Sequence, residues 1–114
     1  MDIRRIEPGA RMSGAVVHGN TVYLAGQVGH PGEDVVAQTR TVLSEIDRLL
    51  AEAGTDKSRI LQATVWLESM DDFAAMNGVW DAWVDRNNPP ARATGESRLA
   101  TPEYKVEIIV IAAI

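Results

Sequence analysis

Arg92 and Glu107 are the two residues of this chain whose types and setting suit chemistry best. Arg92 follows Pro90-Ala91 and opens the β-prone run Arg92–Ser97, and Glu107 interrupts the otherwise apolar run Tyr104–Ala113. A planar guanidinium grips both oxygens of a carboxylate, and a carboxylate can move a proton or orient a water. If the two runs form a hairpin turning between Leu99 and Ala100, antiparallel pairing sets Arg92 opposite Glu107. A lone carboxylate in an apolar strand costs on the order of several kcal/mol unless it is paired or protonated, so the pairing also answers an energetic problem. Thr94 and Glu96 share the Arg92 side by the two-residue period of a strand. Two readings fit this spacing. One is a structural ion pair near a subunit interface. The other is a receptor for a small carboxylate, assisted by a nearby backbone N–H, with Glu107 handling a water or a proton. Spacing alone does not choose between them.

Other chemistries are poorly supplied. The chain has no cysteine, which removes disulfides, thiolate metal sites and cysteine nucleophiles and fits a reducing compartment. His18 falls in a turn and His30 in a Gly-Pro loop, without metal-ligand spacing, so both read as solvent-facing and no metal is expected. Trp66, Trp80 and Trp83 together suggest a stacking platform for bases, but the two helical residues, Trp80 and Trp83, lie on an apolar face and read better as core. Gly26-Gln27-Val28-Gly29 lacks a phosphate-loop pattern and reads as a strand exit where backbone must approach closely. With 16 acidic and 11 basic residues the net charge is −5, and no basic stripe offers the clustered cations that nucleic acid or anionic lipid requires. Residues 1–9 show no apolar segment of a secretory signal, and five glycines break the uncharged stretch Ser13–Gly32, so no membrane span is expected and the protein reads as cytoplasmic.

The elements that must position these residues follow from periodicity. The 114 residues, 46% of them hydrophobic, make one domain without repeats or linkers. Ile3–Ile6 is a short strand. Ala15–Val17 and Thr21–Ala25 form a hairpin about the turn His18-Gly19-Asn20. Over Glu33–Ala53, apolar residues recur at helical spacing, with Glu33 and Asp34 at the start and Gly54 as the stop. Ile60–Glu68 is a strand. Ser69-Met70-Asp71-Asp72 resembles a capping box opening a second helix, whose Phe73, Met76, Val79, Trp80, Trp83 and Val84 share a face and which Asn87-Asn88-Pro89-Pro90 ends. In the last strand Val106, Ile108, Val110 and Ala112 fill one face, yet Ile109 and Ile111 make the other apolar as well. Two helices cover only one side of the sheet. The other side is expected to meet further copies of the chain, in an α+β homo-oligomer.

Four segments carry a family resemblance. Pro90-Ala91-Arg92 with Lys105-Val106-Glu107-Ile108, Leu24-Ala25-Gly26-Gln27, and Asp72-Phe73-Ala74-Ala75-Met76-Asn77 are similar to the RidA (YjgF) family of reactive intermediate deaminases. Ala10-Arg11-Met12-Ser13 and Trp80-Asp81-Ala82-Trp83-Val84 resemble one branch of it. The resemblance implies a chorismate-mutase-like α+β fold, a mixed sheet with two helices on one face, and a homotrimer with sites in the clefts between subunits. It also implies hydrolysis of small 2-imino acids or their enamines, of the 2-aminoacrylate type, to 2-keto acids and ammonia, with no cofactor. Arg92 would bind the substrate carboxylate, Glu107 would orient or activate water, and the backbone at Ala93 and Thr94 would add a hydrogen bond. Met12, Ala25 and Gly26 would line the pocket. Three positions depart from the family pattern: Thr94 stands where many members have cysteine, Ala25 where they have serine, and Met12 where they have an aromatic residue. Arg11, beside Met12, is a candidate partner for a second acidic group on the substrate, with a solvated surface arginine as the competing reading. A carboxylate-binding regulatory trimer without turnover, and an RNA-acting translation inhibitor, are the alternative functions.

Overall fold

The computed structural model describes residues 1–114. Its strands are β1 (Ile3–Ile6), β2 (Ala15–His18), β3 (Thr21–Leu24), β4 (Gln27–Val28), β5 (Ile60–Leu67), β6 (Ala91–Glu96) and β7 (Val106–Ala113), and its helices α1 (Val35–Ala53) and α2 (Phe73–Trp83). One mixed sheet runs β1-β2-β3-β7-β5-β6, with β4 continuing beside β7 after β3.

Helix α1 is set by its ends and its stripe. The Asp34 carboxylate accepts from the Ala37 N–H at 2.8 Å, satisfying an otherwise unpaired donor of the first turn. Gly54 takes φ 88°, and the N–H groups of Gly54 and Thr55 close on the carbonyls of Ala51 and Leu50, a left-handed stop suited to glycine. Between these ends Val42, Leu43, Ile46, Leu49 and Leu50 are buried against the sheet. Ser69 caps a short 3₁₀ turn, Met70–Asp72, that leads into α2; its hydroxyl accepts from the Asp71 N–H and not from Asp72, so a simple N-cap replaces the expected capping box. On α2, Met76 and Trp80 are buried. Trp83 lies at the margin of the core, its indole N–H donating to Asp47 of α1 at 2.9 Å.

The sheet's two faces differ as the alternation requires. Val106, Ile108, Val110 and Ala112 of β7 are all fully buried on the helix side, with Ala63, Val65 and Leu67 of β5. The opposite side carries Tyr23, Val28 and Trp66, each more than a third exposed, around half-buried Ile109 and Ile111. Both helices lie on one side, and this second side is uncovered within the chain.

The last two strands do not form the expected hairpin. β6 pairs in parallel with β5, Ala63 opposite Arg92, and β7 pairs antiparallel with β5, Trp66 opposite Glu107. The physical reason is compositional. β7 is apolar on both faces and takes a central place with strands on both edges, whereas Arg92, Thr94 and Glu96 suit an outer strand. β5, α2 and β6 form a strand–helix–strand unit, which returns its second strand parallel to the first.

A buried amide holds the entrance to β7. Gln38, fully buried, donates to the carbonyls of Glu33 (2.8 Å) and Glu103 (2.9 Å) and accepts from the Lys105 N–H (2.8 Å). Its backbone is overlain by Gly29, where a Cβ would come within 2.8 Å of the Gln38 Cα. Gln38→Leu leaves three backbone groups without their partner, and we expect urea denaturation to show a loss of about 2–4 kcal/mol, at about 1–3 kcal/mol for each buried group left unpaired and allowing for partial rehydration. Trp80→Ala empties a buried aromatic site and should lower stability by about 3–5 kcal/mol in the same measurement.

Candidate functional site

Arg92 lies on the outer strand β6 with its side chain on the helix side of the sheet, in register with fully buried Ala63. Its guanidinium carbon stands 5.1 Å from the centroid of the Trp80 ring. Stacking of this kind neutralises nothing: the ring's negative face attracts the cation while the edge N–H donors stay available. No carboxylate of the chain forms an ion pair with Arg92. Partial burial lowers its proton affinity, and the more distant Asp81 acts the other way. The result is a half-desolvated, uncompensated cation at a sheet edge, the arrangement an incoming anion would complete.

Two polar atoms near it lack partners within the chain. Thr94 Oγ1 and Asn77 Oδ1 are both buried without a hydrogen bond. Thr94 follows Arg92 by two residues on the same face, as the period of a strand requires. Asn77 lies one turn before Trp80 on α2. The segment Met70–Trp83 touches β6 at two points, the Met70 N–H of the 3₁₀ turn donating to Glu96 (3.0 Å) and Trp80 of α2 standing against Arg92. Asn77 and Thr94 thus fall between the same two contacts. Asn77 was part of the family resemblance but had no role in the sequence reading; its signal was a polar side chain on the apolar stripe of α2. Ala93 points to the other side and is exposed.

Glu107 belongs to a different place. It sits on the uncovered face of β7, half-buried, with Trp66 opposite it on β5 and Val28 opposite it on β4. The register of the β3–β4 edge along β7 slips by one residue, Tyr23 pairing with Ile111 but Gln27 with Ile108. Such an extra residue re-aims the chain locally. Here it lays Gly26 on the Glu107 carboxylate: a Cβ at position 26 would lie 2.9 Å from the carboxyl carbon and closer still to one of its oxygens. Ala25 is fixed beside it by its N–H, which donates to the Gly14 carbonyl at 2.9 Å. Gly14 in turn closes the loop that carries Arg11 and Met12 by donating to Ile6. At the other end of that loop Glu7 adopts φ 52°, and its carboxylate binds Arg48 of α1. Met12 and Arg11 are exposed, Met12 at 62%, and Arg11 forms no ion pair.

The structure therefore divides the expected site in two. Glu107, Gly26 and Ala25 gather on the uncovered face, with the Arg11–Met12 loop tied to Ala25. Arg92 and Thr94 gather with Trp80 and Asn77 on the helix face of the outer strand. The cross-strand pairing of Arg92 with Glu107 is overturned, and with it the intrachain ion pair: β5 separates their strands, and their side chains leave the sheet on opposite sides. His18 and His30 are exposed, as expected.

Comparison with known proteins agrees with this architecture. The family described as Endoribonuclease L-PSP matches residues 2–114. A RutC family protein of Haemophilus influenzae is 48% identical over 114 residues, covering 98% of each chain. The RutC family protein YoaB of Escherichia coli is 45% identical over the full length of both. Among solved structures, a YjgF-family protein from Neisseria meningitidis superimposes with a TM-score of 0.97 at 49% identity, covering 99% of this chain and 95% of the other. With the same mixed sheet, both helices on one face and kinship along its whole length, this chain belongs to the RidA/YjgF (RutC) family.

Proposed function

We propose that the protein hydrolyses small reactive 2-imino acids, or the enamines in equilibrium with them, to 2-keto acids and ammonia, in clefts between the subunits of a chorismate-mutase-like homotrimer. The observation that carries this reading is the division of the site. An unneutralised guanidinium stacked on Trp80 and a carboxylate held under Gly26 face away from each other within one chain. A neighbouring copy that covers the apolar face would bring one protomer's Arg92 toward another's Glu107. The same contact buries Tyr23 and Val28, whose exposure otherwise has no use.

In that cleft Arg92 holds the substrate carboxylate through two N–H donors, and an outer-strand N–H near Ala93 or Thr94 adds a third. The imine carbon is already electrophilic, the more so when its nitrogen is protonated. Glu107 takes a proton from water as the oxygen adds to that carbon, giving a carbinolamine. Glu107 returns that proton to nitrogen and then accepts the carbinolamine hydroxyl proton as the C=O bond forms and the C–N bond breaks, so ammonia leaves and the keto acid remains. Placement and a single proton shuttle suffice, so no cofactor or metal is called for. Ala25 and Met12 contribute shape only, having no proton to exchange. Cleavage of RNA, which the family description names, fits less well, because a chain with a net charge of −5 offers the phosphate backbone no clustered cations. Arg11, exposed on its loop, fits a solvated side chain as well as a contact to a second acidic group.

The test uses imines generated by an amino acid oxidase and trapped with semicarbazide, and wild type is expected to suppress the trapped product. Arg92→Ala should lose about 2–5 kcal/mol of transition-state stabilisation, the range for truncating one partner of a buried charge pair, and Glu107→Gln should lose less. Binding of a 2-keto acid by wild type without any suppression would favour the regulatory reading, and sedimentation of a monomer would remove the cleft altogether. Gly26→Ala pushes the Glu107 carboxylate aside at an exposed position, so kcat should fall by about 10²-fold, the effect of a displacement near 1 Å, with the thermal midpoint nearly unchanged.

A further inference from the structure

Trp66 is a large aromatic side chain on the uncovered face, 38% exposed, in the position directly across from Glu107. Side chains so paired on one face stand about 4.5–5.5 Å apart at Cβ, so whatever reacts at Glu107 lies beside this indole. The ring extends over β6. There it roofs Gly95, where a Cβ would come within 3.1 Å of the indole Cζ3. Beneath and beside it is a small slot of about 120 Å³, lined by Thr64, Trp66, Ala93, Thr94 and Gly95. The walls are indole, methyl groups and backbone, since the Thr94 hydroxyl belongs to the helix side.

We infer that Trp66 and the slot it forms with Ala93 and Gly95 receive the substrate's side chain and set its size. This rests on the proposed function and adds to it the identity of the group that distinguishes one imino acid from another. The slot is small and walled by apolar groups, which favours a short alkyl chain, from ethyl to isobutyl, over a phenyl ring. Its location supports the assignment: Trp66, which forms one wall, is the cross-strand neighbour of Glu107, where the imine carbon would sit, and the β6 backbone at Ala93–Gly95 forms the opposite wall. The loop position expected to carry an aromatic wall holds Met12, 62% exposed and flexible. Trp66 supplies a rigid aromatic surface from a strand instead, and a side chain held on a strand discriminates better than one on a loop.

The experiment compares kcat/KM for imines derived from alanine, 2-aminobutyrate, leucine and phenylalanine in wild type, Trp66→Ala and Gly95→Ala. Wild type should prefer the 2-aminobutyrate and leucine derivatives over the phenylalanine derivative. Removing the indole should reduce the preference for the leucine over the alanine derivative by about tenfold or more, the scale on which a hydrophobic pocket discriminates, and raise relative turnover of the phenylalanine derivative. Gly95→Ala fills the slot, so the leucine derivative should lose more than the alanine derivative. Sedimentation mass is followed in parallel. If both variants change every substrate by one common factor, or if Trp66→Ala alters the sedimentation mass, the slot assignment fails while the hydrolytic reading stands. If wild type turns over none of the four imines, both fail.

Discussion

Strand β7 is packed with apolar side chains on both faces and bonded along both edges, by β3 and β4 on one side and β5 on the other. Everything else is arranged around that demand. The helix side is met by α1 with its long buried stripe and by α2 beside it. The far side is met by nothing in the chain. A strand with this composition cannot lie at an edge, so the polar strand β6 is displaced outward and β5 is interposed. The separation of Arg92 from Glu107 is thus a consequence of core packing. In the proposed function it is this separation that gives a second copy a chemical use.

The electrostatics follow the same division. Arg92 is partly desolvated yet keeps its donors free, because its companion is the Trp80 ring and not a carboxylate. A salt bridge at this position would have been satisfied and inert. Arg48 is the contrasting case, gathering Glu7, Glu45 and Glu52 at the surface. Hydrogen bonding to Arg48 holds the Glu7 carboxyl below its ordinary range. By linkage, this contribution is fully present above the unfolded carboxylate range and fades as pH falls through the lowered folded value. Its exposure keeps the effect modest.

Local elements were legible in the sequence because their signals are local. The stripe of α1, the left-handed stop at Gly54 and the turn at Gly19-Asn20 each depend on a few neighbouring residues. The alternation of Val106, Ile108, Val110 and Ala112 revealed both the buried face and the need to cover the other. Strand pairing was not legible by proximity in sequence. Reading β6 and β7 as a hairpin followed their adjacency, whereas strand–helix–strand order and the double apolarity of β7 held the better information. Of the candidate site, the residue types Arg92 and Glu107 were visible, and so was the close approach at Gly26. The partnership of Arg92 with Trp80 and the position of Trp66 beside Glu107 were invisible, because the first depends on how α2 packs against β6 and the second on register across the sheet.

The Gln38 amide ties the start of α1 to the segment entering β7, and Gly29 seals the backbone over it. The strand bearing Glu107 is therefore anchored from inside its own protomer, without help from a neighbour. Trp80 does the same for Arg92. Were copies to meet on the uncovered face, these anchored strands would have little freedom left to freeze at contact. Self-association should then resemble rigid-body docking, limited by encounter and orientation and not by refolding at the seam.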